Sequence, residues 1–420
     1  MNKWLLTGLS LFWVVWCVQA ALSLLQVRKF WRRFDREPHS PRKRPPPPAV
    51  VIVPFKGIDA DLETGVRMLA SQAYPNYRML LVVEATDDPA YPVLEKIVSA
   101  LSEDKATILV AGVCGPDEGQ KVRNQLCAID HLLAMDAPKN EIWVFADSDV
   151  VPDDKWLMYM LRRLTKKNGL TTGYRWLTPM DADGDASAPG AGAFWSNLAS
   201  VMNGSVASFL SKDAFAHAWG GAMAIRRKNA IKGDLRSYLV GALCDDYQFS
   251  RMVRDIGMEI YYEPMCLVDT PVRFSLGSLV NFAHRQYFLT RVYAPKVYAG
   301  AVMVTSLYVL GAASAWAALI YLLAVDATSY AMVLPALAMV FVLVCNHVRA
   351  YYRRLTIREA FGDAMLTKLR GACLLDQWAT TFCMVAHWLL ILRAGLGRTM
   401  VWRGVPYRLL GPQKVRRLDR

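Results

Sequence analysis

The chain has 420 residues, 54% of them hydrophobic, 20% charged, and a formal net charge of +13. That much apolar material excludes a wholly water-soluble globule. The positive charge gathers beside apolar runs, from Arg28 to Lys43 and Arg44 and again from Arg353 to Arg420. The positive-inside rule and anionic lipid account for such flanks, so no nucleic-acid partner is expected. Eight cysteines lack C-x-x-C or zinc-like spacing and read as reduced, structural residues.

Trp4 to Leu25 is long enough to span a bilayer, which takes roughly 20 apolar residues. The start Met1-Asn2-Lys3 and the sequence Val18-Gln19-Ala20 also permit a signal peptide, but the length of the run and the basic block after it favour an uncleaved anchor. The chain beyond that block should lie in the cytosol. Residues 1–26 are thus expected to be an anchor, 27–48 a basic, proline-rich linker, 49–294 an α/β domain with interfacial segments, and 295–420 a membrane region with a basic tail. Arg42 to Pro48 cannot build a helix and predicts an extended spacer.

From Ala49 the apolar pattern alternates. Strands are predicted at Ala49 to Pro54, Arg78 to Val83, Thr107 to Ala111 and Ile142 to Ala146, with helices at Asp61 to Ser71, Tyr91 to Leu101 and Gln120 to Met135 between them. Helical connections of this length imply crossovers and a mostly parallel sheet. The fourth strand ends abruptly in Asp147-Ser148-Asp149. Alternate residues on an extended chain face one way, so Asp147 and Asp149 could share one Mg²⁺ or Mn²⁺ at the sheet's mouth, where open α/β sheets bind ligands. Solvated loop acids are the bland alternative for so short a motif.

A helix is predicted over Asp154 to Thr165, a strand over Gly169 to Tyr174, and a loop over Thr178 to Gly192. Phe194 to Leu210 fits either a core helix or an element on the membrane surface. Ala218 to Ile225 reads as a strand whose Gly220 and Gly221 would let a substrate approach the backbone, although turn glycines need no ligand. Cys244-Asp245-Asp246-Tyr247 opens a helix to about Ile256, and Met258 to Tyr262 is a further strand. Acids in a first helical turn are also stabilised by the macrodipole alone.

Two further spans are predicted, Tyr298 to Leu323 and Tyr330 to Val348, joined by Val325 to Ser329 and followed by the basic, amphipathic Arg349 to Arg370. Cys373 to Leu392 could cross the membrane, but that would leave the basic C-terminus outside. A re-entrant or interfacial hairpin avoids the conflict.

Several stretches, in order, resemble the membrane-bound family 2 glycosyltransferases, nearest the ceramide glucosyltransferase group and its bacterial relatives. They are Pro54-Phe-Lys-Gly-Ile-Asp59, Tyr74-Pro-Asn-Tyr77, Thr86-Asp-Asp88-Pro89, Lys121-Val-Arg-Asn124, Ala146-Asp147-Ser-Asp149, Gly220-Gly221-Ala-Met223, Asp245-Asp246-Tyr247 and Trp402-Arg-Gly-Val-Pro-Tyr407-Arg-Leu409. The resemblance implies a GT-A fold and an inverting, metal-dependent hexosyltransferase that moves a sugar from a nucleotide sugar, a UDP-sugar first, to a membrane lipid hydroxyl on the cytosolic face.

By the same resemblance Asp88, Lys121 and Asp147 attend the donor, Asp147 and Asp149 hold the metal, and Asp246 is the catalytic base. Gly220, Gly221 and Arg285 fall on the acceptor or phosphate side. The family's fourth motif is altered at Phe282-Ala-His-Arg285-Gln286, which keeps the arginine and not the tryptophan. Ceramide, diacylglycerol and polycyclic lipids all remain open as acceptors. The alternative enzyme is a processive polysaccharide synthase. A binding protein without activity is disfavoured by the three aspartate positions, and a transporter by the scarcity of intramembrane charge.

Overall fold

A computed structural model describes residues 3–35, 46–59, 61–180, 194–210, 216–325 and 330–418. Most of the expected spacer, of the loop from Thr178 to Gly192 and of the turn from Val325 to Ser329 lies outside them.

The first half alternates as the pattern predicts. After helix α1 (Lys3–Asp35) come β1 (Ala49–Pro54), α2 (Leu62–Ala70), β2 (Tyr77–Val83), α3 (Ala90–Val98), β3 (Ala106–Val110), α4 (Gln120–Ala134) and β4 (Ile142–Ala146). The order continues with α5 (Trp156–Arg162), β5 (Asn168–Pro179), α6 (Phe194–Ala207), β6 (Ala222–Arg226), α7 (Arg227–Lys232), α8 (Leu235–Leu239), α9 (Asp245–Asp255) and β7 (Glu259–Val272). The described strands form one sheet in the order β3-β2-β1-β4-β6-β5-β7. Only β6 runs against its neighbours β4 and β5.

The central strands are unbroken apolar runs because both faces are covered. Val51 and Val53 enter one core with Leu62 and Val66 of α2 and Leu94 of α3. Val50 and Ile52 enter the other with Val122 and Leu126 of α4 and Phe249 of α9. The two-residue period of the strand thus sorts one run into two layers.

Several elements depart from expectation. Gly220 and Gly221 precede β6 in a turn closed by a Trp219↔Ala222 bridge, where a strand from Ala218 was expected. β5 and β7 run on together to Pro179 and Val272, well past the predicted ends. The extension carries Pro264 and Pro271, which break the strand pattern around the short apolar stretch Met265 to Val268. It forms the shelf on which α6 lies. Leu198 and Met202 of α6 pack with Trp176 of β5 and with Ala372, which settles α6 as a buried helix.

The remaining helices are α10 (Leu276–Tyr293), α11 (Pro295–Ala324), α12 (Tyr330–Phe361), α13 (Asp363–Lys368), α14 (Arg370–Trp378) and α15 (Thr380–Ala394). Among the described residues, three stretches are long and apolar enough to cross a membrane: Leu6–Phe34, Pro295–Ala324 and Met332–Phe361. α1 continues to Asp35, through part of the segment expected as the basic linker 27–48, because Phe30 and Phe34 share a face. Phe30 stacks on Tyr262 of β7 at 5.6 Å, which ties the anchor directly to the α/β domain. Arg353 of α12 pairs with Asp376 of α14 at 2.5 Å, both buried. Removing either partner of such a pair leaves an uncompensated buried charge, usually about 3–5 kcal/mol.

The segment expected as a crossing or hairpin is two short helices, α14 and α15, broken at Ala379. At 15 residues α15 is shorter than a typical span. The basic tail is an antiparallel sheet, β8 (Thr399–Trp402), β9 (Val405–Gly411) and β10 (Lys414–Arg417). Met400, Tyr407, Leu409 and Val415 turn one face into a core shared with Leu243, Phe288 and Leu289, while the intervening arginines face outward.

Candidate active site

β2 and β3 lie to one side of β1 and β4 to the other, so the strand order reverses between β1 and β4. Crevices at such reversals are where open α/β sheets bind ligands. The residues just beyond β1 (Phe55, Lys56) and beyond β4 (Asp147, Ser148, Asp149) line one cleft there, of about 910 Å³.

Lys121 stands at the centre. It leaves the first turn of α4, and that helix is held in place by Asn124, which donates to the carbonyls of Phe55 (2.9 Å) and Val82 (3.0 Å). The Lys121 ammonium pairs with Asp147 at 2.7 Å and with Asp245 at 3.0 Å. Burial opposes its charge, but Asp147 and then Asp245 outweigh burial and raise its pKa. Gly220 is needed beside it: a Cβ there would lie 2.6 Å from the Lys121 nitrogen and 3.1 Å from both Asp245 oxygens. Gly221 instead makes room for the Trp219 ring.

The three residues after β4 point to different partners. Asp147 meets Lys121, and Ser148 donates to Asp59 at 2.5 Å. Asp149 is raised by burial and by the Asp147 charge, against the pull of Arg175. The two neighbouring acids of α9 also differ. Asp245 is buried and fully engaged, accepting from Gln125 at 2.6 Å as well as pairing with Lys121.

Asp246 is half-buried, accepts from the Cys244 thiol (2.9 Å) and from the Tyr247 N–H (2.7 Å), and has no salt bridge among the described residues. Burial and the Asp245 charge push its pKa up to about 6, against Cys244 and Lys121. It is not among the residues lining the cleft itself.

Residues 10–415 match Glycosyl transferase family 21. The chain belongs to that family. It has a mostly parallel α/β sheet and apolar helices towards both ends. A ceramide glucosyltransferase of Pyricularia oryzae is 35% identical over 89 residues, which is 20% of this chain and 18% of that protein. The match therefore spans under a fifth of that relative's length.

Among solved structures, the mannosyltransferase PcManGT from Pyrobaculum calidifontis, in complex with GDP-Man and Mn²⁺, shares 15% identity and a TM-score of 0.47 over 88% of this chain and 99% of its own. GalNAc-T7 with UDP, GalNAc and Mn²⁺ shares 13% identity and a TM-score of 0.37, over 62% and 51%. Glucosyl-3-phosphoglycerate synthase from Mycobacterium tuberculosis, with phosphoglyceric acid, shares 14% and 0.34, over 58% and 78%.

In this family 21 glycosyltransferase, Asp147, Asp149, Lys121, Gly220 and Asp246 gather around one carboxylate–ammonium cluster. Asp88 sits apart from it. Its oxygens accept from the N–H groups of Gly57 (3.0 and 3.1 Å) and Ala90 (2.8 Å), so it shapes the loop after β1. Gly57 has a φ of +68°, which glycine adopts without strain.

Arg285 of α10 does reach the cleft, where burial, then Arg175 and Arg403, lower its pKa to about 10. Position 286, where the resemblance leads one to look for tryptophan, is Gln286, and the tryptophan in the cleft wall is Trp402 of β8. Lys56, Arg175, Trp402 and Arg403 line the cleft without having been assigned a role from sequence. Lys56 and Trp402 lie within stretches that carried the resemblance; Arg175 had no local signal at all.

Proposed function

We propose that the protein transfers a hexose from a nucleotide sugar to the hydroxyl of a membrane lipid, with inversion, at the cytosolic face. The observation that carries this reading is the Asp147–Asp149 pair at the β1/β4 crevice, with Lys121 beside it and the half-buried Asp246 nearby.

The donor set fits a hard divalent cation, Mg²⁺ or Mn²⁺. Asp147 and Asp149 offer carboxylate oxygens, and burial together with the Asp147 charge raises Asp149, which such an ion relieves. Among the described residues no third acid, histidine or cysteine completes a metal cluster, so a bound diphosphate and water would supply the other ligands. The ion would contribute charge neutralisation on the departing diphosphate. Lys121 and Arg285 add cationic charge to the same cleft. Asp246 takes the proton of the acceptor hydroxyl as it attacks the anomeric carbon.

A lipid acceptor is supported by α10, which carries Arg285 into the cleft and packs against the apolar helices α11 and α15. A headgroup delivered along those helices meets the sheet edge without leaving the bilayer surface. The direct test is expression in membranes lacking glycolipids, with labelled nucleotide sugars supplied and products identified by mass spectrometry. A lipid bearing one added hexose is the expected product; a long polymer would replace this reading with a polysaccharide synthase. EDTA should abolish transfer, and Mn²⁺ or Mg²⁺ should restore it. Full activity in EDTA would refute the metal assignment.

Topology is tested separately. The tail sheet docks on the α/β domain, with the Arg417 N–H donating to the Pro116 carbonyl at 2.6 Å, so both belong on one side of the membrane. Cysteines placed at the exposed Val113 and Leu410 should resist impermeant maleimide in intact cells and react after permeabilisation. Labelling of either from outside would overturn the cytosolic assignment.

A further inference from the structure

β8 and β9 are joined by the two-residue loop Arg403-Gly404, closed by the pair Trp402↔Val405. Both loop residues have positive φ, 47° and 77°. Two-residue hairpin loops of this kind favour Asn, Asp or Gly, because a Cβ in the left-handed region crowds the following carbonyl. Arginine is a poor residue for that turn. Its guanidinium reaches Asp59, meeting both carboxylate oxygens at 2.9 Å, and also donates to the Lys56 carbonyl. The neighbouring Trp402 ring centre lies 5.6 Å from the Arg285 guanidinium carbon.

Two depressions meet at this point. One is the cleft of Asp147 and Asp149, with Trp402 in its wall; the other, of about 860 Å³, is bordered by Gly57, Glu84, Asp88 and Pro89. Lys56 and Arg403 line both. Two lobes that share a pair of cations match a ligand whose two uncharged ends are joined by a diphosphate. The Arg403–Asp59 and Lys56–Glu84 pairs are both part-exposed, so each adds little to stability and is readily exchanged for a phosphate oxygen. The apolar lining of the first lobe includes Phe55 and Leu243 and, from the tail sheet, Trp402, Val405 and Tyr407. An aromatic wall beside cations suits a sugar ring, which has one apolar face and a polar rim.

We propose that the Trp402–Arg403 tip of the C-terminal hairpin is a donor-binding element: Arg403 with Lys56 takes the diphosphate, and Trp402 takes the apolar face of the sugar. This rests on the nucleotide-sugar reading and extends it to a segment that lies beyond the last membrane helix. The nucleoside then occupies the second lobe. The tail is part of the site, and truncation before β8 removes donor binding along with the hairpin.

The full-length protein in lipid nanodiscs with MnCl₂ is titrated with UDP, GDP, ADP and dTDP, and then with the glucose form of whichever binds. Arg403→Asn suits the turn better than arginine, so melting temperature should hold or rise while diphosphate affinity falls about 10- to 100-fold, the worth of a charged hydrogen bond. Asp59→Asn frees the guanidinium and should leave that affinity equal or higher. Equal losses in both variants would mean Arg403 only fastens the tail, and would overturn the proposal.

Trp402→Ala should weaken the nucleotide sugar about tenfold more than the diphosphate alone, with Trp402→Phe recovering most of the difference. Equal loss for both ligands, or none, would overturn the sugar contact. Failure of the parent protein to bind any of the four diphosphates would reject the nucleotide-sugar reading itself. Parent-like binding by Arg403→Asn would reject this inference alone.

Discussion

Asp246→Asn is expected to lower the rate of sugar transfer by about 10²- to 10⁴-fold, the usual contribution of a positioned general base, while nucleotide affinity stays within a few fold. The amide keeps an oxygen that can accept from the Tyr247 N–H, as the carboxylate does at 2.7 Å. What it loses is the site for a proton. If Asp246 served only as a first-turn acid of α9, the asparagine variant would lose at most about 1 kcal/mol of stability and keep its rate. Near-parental turnover, measured beside nucleotide binding on one preparation, would rule out the assigned base.

Asp245→Asn should behave differently. It removes one of the two anions paired with Lys121, at 3.0 Å, so binding and melting temperature fall along with rate. The pH dependence rests on the same assignment. Burial and Asp245 raise Asp246 to about 6, and a base must be ionised to act. Transfer is therefore expected to rise as pH increases through about 6 and then level off, and Asp246→Asn should flatten that limb. A rate independent of pH between 5 and 7.5 in the parent protein would count against Asp246.

The second large effect is expected at Lys121. Lys121→Met should reduce transfer by about 10²- to 10³-fold, the usual cost of deleting one preorganised charge-stabilising donor, and should weaken diphosphate binding. It also leaves Asp147 and Asp245 without the ammonium that now lies 2.7 and 3.0 Å from them. Unpaired buried charge of that kind usually costs about 3–5 kcal/mol, discounted here because Asp147 is partly exposed. Lys121→Arg tests whether charge alone suffices. Gly220 closes that space, so the broader guanidinium should restore binding only in part.

Gly220→Ala applies the same reasoning from the other side. Its methyl group would sit 2.6 Å from the Lys121 nitrogen and should displace it without changing any charge. Loss of donor binding without loss of fold is expected, read by titration and by melting temperature. A fully active Gly220→Ala would show that the ammonium can move and that its position is not what matters.

The amino-acid sequence by itself determined the alternation of apolar strands and helices from Ala49 to Ala146, the spans near both ends, and the emergence of Asp147 and Asp149 at a strand terminus. These are local properties. An apolar run buried on both faces, a helical period and an abrupt change to carboxylates are each written in a few consecutive residues. The family resemblance added Lys121, Asp246 and Arg285 to the candidates, but not their relations to one another.

Those relations depend on residues far apart in sequence and were decided by tertiary structure. Lys121 bridges Asp147 and Asp245 only because α4 and α9 share the face of the sheet that packs around Ile52 and Phe145. Asp88 holds the Gly57 N–H, 31 residues away in the chain, as well as that of Ala90. The extensions of β5 and β7 form because they pair with each other.

The tail gave the largest difference. Its strands are only four to seven residues long and lie among arginines, so their pattern reads as a basic tail. Met400, Tyr407, Leu409 and Val415 find a core only against Leu243, Phe288 and Leu289, which lie more than a hundred residues away. That packing carries Trp402 and Arg403 to Arg285 and Asp59. No local period of the chain encodes such a meeting, because the apolar face that directs it belongs to another part of the fold.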